Sequence, residues 1–375
     1  MIPSSLSQLK YLEDLNFAGN NLGGKVELDI FLKHRNLLHL DLSANKLTVL
    51  TKNSTNATIP KFNILGLVSC NLRKFPNFLQ FQDELETFSF SDNKIHGEIP
   101  TWFWNKSKET MTARIITNST TVNPCLSSPC DSLLVLNLSL NNFHGTIPHM
   151  MGINLKMIDL SQNHLHGLVP RSLQNCKLLE ILVLGNNQME DTFPSWLGAL
   201  PMLQVLILRS NKFHGAINVS QAKLNFAKLR IIDLSDNGFS GNLPSEYFEN
   251  WNAMIMVKTE KFTYMQASQE VPITTVNSRS IILTLHMPPY MYSITMDNKG
   301  THRLYAKIQK AFIAIDLSNN KFGGEIPESL GRLSGLQMLN LSNNNFTGVI
   351  PSSLASLIKL ESLDLSQNLL SGEIP

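Results

Sequence analysis

Charge is scarce in this 375-residue chain: 16% of its residues are Asp, Glu, Lys or Arg, the net charge is +2, and no five like charges run together. Such a balance offers no footprint for nucleic acid and none for an anionic membrane surface. Long apolar runs are missing too. No stretch approaches the roughly 18 apolar residues of a membrane-spanning helix, and the start from Met1 to Leu6 lacks the charged and apolar regions of a secretory leader. Cysteine is rare. The four thiols, Cys70, Cys125, Cys130 and Cys176, are too few for a disulfide framework. Cys125 and Cys130 lie close enough to bridge within one loop, an open alternative to two free thiols. Two cysteines without neighbouring ligands make a poor zinc site, so no metal and no cofactor is expected.

Catalytic signatures are absent as well. There is no phosphate loop, no kinase Gly-rich loop, no H-E-x-x-H and no G-x-S-x-G elbow. Ten histidines are present, but His96, His144, His166 and His214 each stand immediately before a glycine at one recurring position. That regularity places them on successive outer turns as solvated residues. Asp159-Leu160-Ser161, Asp233-Leu234-Ser235, Asp316-Leu317-Ser318 and Asp364-Leu365-Ser366 also recur, and no histidine joins them in a triad. The chain is expected to be no enzyme.

What is abundant is apolar sequence, 43% of the chain, arranged with a period. Leu155-Lys-Met-Ile158-Asp-Leu160-Ser-Gln-Asn163 matches Leu336-Gln-Met-Leu339-Asn-Leu341-Ser-Asn-Asn344 in the frame L-x-x-L-x-L-x-x-N. The last position of that frame falls at Asn20, Asn45, Cys70, Asn93, Asn141, Asn163, Asn187, Asn211, Asn237, Asn320, Asn344 and Asn368, most often 22 to 26 residues apart. Such self-similarity defines a repeat array. In each repeat the L-x-L core is a short strand with leucines inward and the intervening residue outward. The Asn can bond backbone groups of adjacent turns, giving a buried polar ladder. No repeat buries its apolar side alone, so stacking supplies the stability. A dozen strands make an inner face on the order of 60 Å long, suited to another macromolecule.

A second signature follows the anchor: His96-Gly97-Glu-Ile99-Pro100, Gly145-Thr-Ile147-Pro148, Gly324-Glu-Ile326-Pro327, Gly348-Val-Ile350-Pro351 and Gly372-Glu-Ile374-Pro375. Glycine suits a tight turn and proline ends strand pairing, so this piece should form the start of the convex return. The combined pattern resembles the plant-specific class of leucine-rich repeats. The fold that this implies is an α/β-type leucine-rich-repeat solenoid, a curved right-handed superhelix with a parallel β-sheet on its concave face and loops or short 3₁₀ turns on its convex face.

The frame breaks twice. Residues 108–130, rich in Thr, Asn and Ser, are either one degenerate coil or the scar of deleted repeats. Residues 254–310 hold no leucine frame and are read as an insert; long inserts in rigid scaffolds are more often functional than idle. The expected organisation is repeats over 1–107, the irregular stretch 108–130, repeats over 131–253, the insert 254–310 and repeats over 311–375. An insert about four repeats from the C-terminal end, with the words Leu184-Gly-Asn-Asn187, Asp191-Thr-Phe-Pro194 and Leu206-Ile-Leu-Arg209-Ser-Asn211, resembles the island domain of plant receptor-like proteins, which are leucine-rich-repeat receptors without a kinase. The resemblance implies an ectodomain at the outer side of the plasma membrane. It further implies a peptide or protein ligand from a pathogen or from development, and a receptor-kinase co-receptor near the C-terminal repeats. Any membrane contact would run through a transmembrane segment that is absent from this chain. Family members also carry a leader, terminal caps and an anchor, whereas this chain begins at Ile2-Pro3 and stops at Ile374-Pro375 within repeats, so a fragment with open leucine edges is expected. A soluble inhibitor of microbial cell-wall hydrolases, a shortened receptor kinase and a decayed copy are the alternatives.

The outward position inside L-x-L is usually Asn or Asp, but Val183 and Ile207 are apolar neighbours, with Gly185 and Arg209 beside them. An exposed apolar pair next to an arginine is the expected hot spot, and Asp233 of the following repeat joins the candidate ligand contacts. Eight N-x-S/T sequons, at Asn53, Asn56, Asn105, Asn118, Asn137, Asn218, Asn340 and Asn345, suit a glycosylated ectodomain. Glycans at Asn137 and Asn340, both at the outward position, would steer a ligand towards the repeats between Asn163 and Asn237 and the insert.

Overall fold

Each L-x-L core falls on extended backbone, its first leucine the middle residue of a three-residue strand, because leucines two apart can both point inward only on such a backbone. In the computed structural model, which describes residues 3–51, 59–103, 133–148, 154–218, 226–255, 263–267, 290–298 and 301–375, twelve such strands line up in one parallel sheet. They run from Asp14–Asn16 through His39–Asp41, Met157–Asp159, Ile181–Val183, Val205–Ile207 and Ile231–Asp233 to Ser362–Asp364. Equivalent residues pair across every interface, as in Asp159 with Val183 and Val183 with Ile207. The inward leucines, among them Leu40, Leu65, Leu136, Leu182, Leu206 and Leu339, are completely buried.

The anchor asparagines hold the coils together. Asn163 Nδ2 donates to Leu138 O of the preceding coil at 3.0 Å and to Leu160 O and Ser161 O of its own coil at 3.1 Å each. Its Oδ1 accepts the Phe143 N–H at 3.0 Å. The same set recurs at Asn93, Asn211 and Asn344. The residue just before each anchor is left-handed: Ala44, Asp92, Gln162, Asn186 and Asn343 all have φ between 52° and 55°. That conformation costs a non-glycine residue about 1 kcal/mol, and the anchor's bonds offset it. Cys70 stands in for Asn by pointing its thiol at the same carbonyls, 3.7 Å from Leu42 O and 3.6 Å from Val68 O. Burial pushes that thiol up to about 12, so it remains a weak neutral donor.

Behind the sheet, phenylalanines two residues past the anchors stack in file. Phe213 faces Phe239 at 5.9 Å, Phe239 faces Phe322 at 6.1 Å and Phe322 faces Phe346 at 6.3 Å, all nearly parallel. Prolines then start most of the return segments. Pro170, Pro194, Pro327 and Pro351 precede the 3₁₀ turns Arg171–Asn175, Ser195–Ala199, Glu328–Arg332 and Ser352–Ser356, where a missing N–H costs nothing.

The glycine-containing piece was expected to be a turn; it is largely strand. His96–Glu98, Asn142–Thr146, His164–Gly167 and Gln188–Met189 form one four-stranded parallel sheet, and His214–Ala216, Gly238–Asn242, Lys321–Glu325 and Asn345–Thr347 form another. Glycine explains the difference. Gly97, Gly145 and Gly167 have φ between 83° and 102°, which lets the strand bend without ending its ladder.

Both breaks in the frame are bridged by direct pairing. Thr87–Ser89 pairs with Val135–Asn137; residues 108–130 lie outside the described residues. Ile231–Asp233 pairs with Ala314–Asp316, after the short helices Ser245–Asn250 and Asn252–Ile255. The chain divides into two compact units, Met1–Met256 with Ile313–Pro375, and Val257–Phe312. The smaller unit, taken by itself, contains an antiparallel hairpin, Ile294–Asn298 with Thr301–Tyr305, and a core of Met265, Tyr292, Met296 and Ile308.

Replacing Asn163 by Ala should cost about 2 kcal/mol, since it strands buried carbonyls and one N–H, whereas Cys70→Asn should leave stability equal or higher. Urea unfolding followed by circular dichroism checks both. Leu363 is 46% exposed where its counterpart Leu339 is fully buried, and Leu369 and Ile374 are open as well. The 375-residue chain should therefore self-associate with rising concentration in light scattering, and a monodisperse monomer would refute this.

Candidate ligand-binding face

The outward side chains of the long sheet form columns, because every strand is in register with the next. The middle column reads Asn137, Asp159, Val183, Ile207, Asp233, Asp316, Asn340 and Asp364. Most of its polar members do one job. Asp159 Oδ1 accepts the Ser161 N–H at 3.0 Å and the Ser161 hydroxyl at 2.6 Å, and Asp233, Asp316 and Asp364 hold Ser235, Ser318 and Ser366 in the same way. Asn137 and Asn340 do so with Ser139 and Ser342. The recurring Asp–Ser pairs thus close the end of each strand by a local side-chain turn.

Two adjacent coils between Asn137 and Asp364 lack that turn, as does the coil of Gly66 and Val68 nearer the start of the sheet. Val183 and Gly185 replace it in one, Ile207 and Arg209 in the next. The expectation that Val183 and Ile207 are exposed is corrected by the structure: they are 5% and 1% exposed. Neighbouring strands press their side chains together, and the arginine stem lies across the bare glycine. A Cβ on Gly185 would come within 2.8 Å of Arg209 Cγ and 3.4 Å of Ile207 Cγ2. The guanidinium Nη1 of Arg209 reaches to 3.9 Å from Asp233 Oδ2. The four residues singled out from the sequence therefore meet in one place, as a packed floor.

Sequence reasoning missed two contributors and the role of a third. Gly185, noted beside Val183, is the seat for the arginine. Asp316 faces Asp233 across the next strand pair and stood in the sequence as one more member of the same column. The other is the column two residues earlier, where Val135, Met157, Ile181, Val205, Ile231 and Met338 are all buried; a count at that position would have found it. Burial together with the Asp316 carboxylate pushes Asp233 up to about 7, against the pull of Ser235 and Arg209. Burial likewise raises Asp159.

The other candidates are scattered. His96, His144, His166 and His214 are exposed on the second-sheet strands. Among the described residues no group of three or more His, Cys, Asp or Glu is arranged around a metal position. Cys70 and Cys176 are buried free thiols; Cys125 and Cys130 lie outside the described residues, as do Asn53, Asn56, Asn105 and Asn118. Asn137 is 6% exposed, Asn340 is half-buried, and Asn218 and Asn345 are exposed.

A parallel sheet of three-residue strands, one per repeat, with an asparagine ladder beside it, defines a leucine-rich-repeat solenoid. Family profiles described as leucine rich repeat match residues 153–213 and 314–370, and further ones match 84–106 and 228–250. Receptor-like protein 18 of Arabidopsis thaliana is 37% identical over 89% of this chain and 43% of its own length. The chain belongs to the plant leucine-rich-repeat receptor-like protein family, and it spans about two fifths of the length of such curated relatives. Among solved structures, a TDR receptor superposes with a TM-score of 0.65 at 23% identity, covering 100% of this chain and 50% of that one. The ectodomain of the Arabidopsis receptor kinase HAESA, in complex with a peptide hormone ligand, superposes with a TM-score of 0.52 at 26% identity, covering 100% and 61%. No helix among the described residues is long and apolar enough to cross a membrane.

The raised Asp233 carboxyl has a signed consequence. The folded chain keeps a proton that the unfolded chain releases near pH 4, so stability falls as pH rises from about 4 through 7 and levels off above. Asp233→Asn keeps the Ser235 turn, as Asn137 and Asn340 show, and removes that titration. Urea midpoints at pH 5 and pH 8 should differ less in the variant than in the parent chain; equal differences would show that Asp233 does not titrate there.

Proposed function

We propose that this chain is part of the ectodomain of a cell-surface receptor, and that it binds a peptide or protein ligand on the long sheet around Val183, Ile207, Arg209 and Asp233. The single observation behind the placement is the interruption of the Asp–Ser column at two adjacent coils. In the coils of Asn137 and Asp159, and again from Asp233 to Asp364, the outward positions are spent on closing strands. At the two coils of Val183 and Ile207 they are released from that task, and an arginine rests on a glycine beside a carboxyl that holds its proton up to about 7.

The neighbouring HAESA ectodomain binds a peptide hormone ligand, which supports the choice of ligand class. Signalling falls to partner receptor kinases, with a co-receptor near the C-terminal repeats, at the outer side of the plasma membrane. No reaction is assigned to the Asp–Ser pairs: each aspartate oxygen accepts the N–H and the hydroxyl of its own serine and so closes the end of a strand.

The test uses extracellular peptides retained by the immobilised chain from plant tissue fluid. Ile207→Asp and Arg209→Gln should each lower retention at least tenfold, which is about 1.4 kcal/mol, with unfolding midpoints checked in parallel. Variants that stay folded and retain the same peptides at the same level would sink the placement.

A further inference from the structure

The two outer four-stranded sheets do not join. Gln188–Met189 ends the first and His214–Ala216 starts the second, although the two strands belong to consecutive coils. The sequence explains the gap. Asp191 stands where the flanking coils carry Gly167 and Gly215, and those glycines hold φ at 83° and 80°, a conformation that strains a residue with a side chain. Asp191 stays out of it, so its strand is only two residues long and the ladder stops. Its carboxylate closes the turn locally, accepting the Thr192 N–H at 2.8 Å and the Val169 N–H at 3.2 Å. Two main-chain bonds still tie the coils together, from Lys212 N–H to Met189 O at 2.8 Å and from His214 N–H to Asp191 O at 3.0 Å.

The seam is a cleft of about 540 Å³, within the range of small-ligand sites, roughly 300–1,000 Å³. Those bonds hold its walls before any ligand arrives. Its lining is almost wholly polar, Leu168 being the one apolar side chain. His166, Gln188, Glu190 and Lys212 are exposed there, and their side chains make no hydrogen bond or ion pair with another described residue. His214 Nδ1 lies 3.3 Å from Lys212 O. A carbonyl only accepts, so Nδ1 carries the proton and Nε2 is left as an acceptor. Spare donors and acceptors are thus mixed, with charges of both signs.

We propose that this cleft binds a neutral saccharide, with Gln188 and Glu190 taking a pair of adjacent hydroxyls. Lys212 and His214 Nε2 serve a further hydroxyl as donor and acceptor, and Leu168 lies against the C–H face of a ring. Each hydroxyl both donates and accepts, so a run of them satisfies this mixture. A polyanion would meet the carboxylates of Glu190 and Asp191, and a polycation the ammonium of Lys212. An added peptide strand would find the seam N–H groups of Lys212 and His214 already bonded. A metal ion would lack its cage, since among the described residues no three His, Cys, Asp or Glu converge. The inference goes beyond the receptor reading and does not rest on it: the cleft's strands belong to the outer sheets and not to the long one.

The purified 375-residue chain is titrated with cello-, xylo- and manno-oligosaccharides and followed by saturation-transfer NMR. At least one of these series should bind at millimolar concentration or below. Gln188→Leu and Glu190→Leu should each weaken that binding about tenfold, the worth of one strong hydrogen bond, while Ile207→Asp should leave it unchanged. Both replaced residues are exposed, and unfolding midpoints equal to the parent's separate a lost contact from a lost fold. No transfer to any neutral oligosaccharide overturns the proposal, as does transfer that survives both replacements. Binding confined to galacturonate oligosaccharides and lost in Lys212→Gln would overturn the neutral assignment in favour of an acidic sugar. Each of these results leaves peptide retention on the long sheet untouched, and failure of that retention says nothing against the cleft.

Discussion

Everything in the larger unit depends on one anchor side chain per coil, an asparagine in all but the coil of Cys70. Each coil must turn sharply at the end of its strand, and the turn places one residue in a left-handed conformation and leaves carbonyls of two coils pointing inward. The anchor carboxamide meets both demands at once, donating to carbonyls of its own coil and of the previous one and accepting an N–H in return. Leucines could fill the interior in many registers; the carboxamide permits one, because its bonds exist only when successive coils stand one strand spacing apart. That is why the parallel pairing is in register from Asp14–Asn16 to Ser362–Asp364.

The solenoid and its strands were legible because their signal is periodic: a leucine frame and an anchor repeated twelve times leave little freedom. The second sheets were less legible. A glycine with positive φ serves a turn and a bent strand equally well, and only the neighbouring coil decides between them. The candidate face was legible in its identities and not in its exposure. Val183 and Ile207 do stand where the polar column fails, but whether an outward residue is open depends on its neighbours one coil away. Here those are a glycine without a side chain and an arginine long enough to cover it. The Asp–Ser pairs carried a visible pattern whose purpose was hidden, since the hydroxyl and the N–H of residue i+2 become partners only after the strand is formed.

The direct pairing of Ile231–Asp233 with Ala314–Asp316 has a consequence for how such chains change over time. The Phe239–Phe322 stack and the Asn320 bond to Leu234 O cross that same junction, so the two coils close on each other as ordinary neighbours do. The chain between them first packs on the same spine, Tyr247 lying against Phe193 and Phe226 and the Met254 carbonyl accepting the Gly335 N–H at 2.9 Å. Beyond that packed helix, extra loop costs only about 0.6 kcal/mol of chain entropy for each doubling of its length, so such a junction tolerates sequence of other lengths without unpairing its two coils.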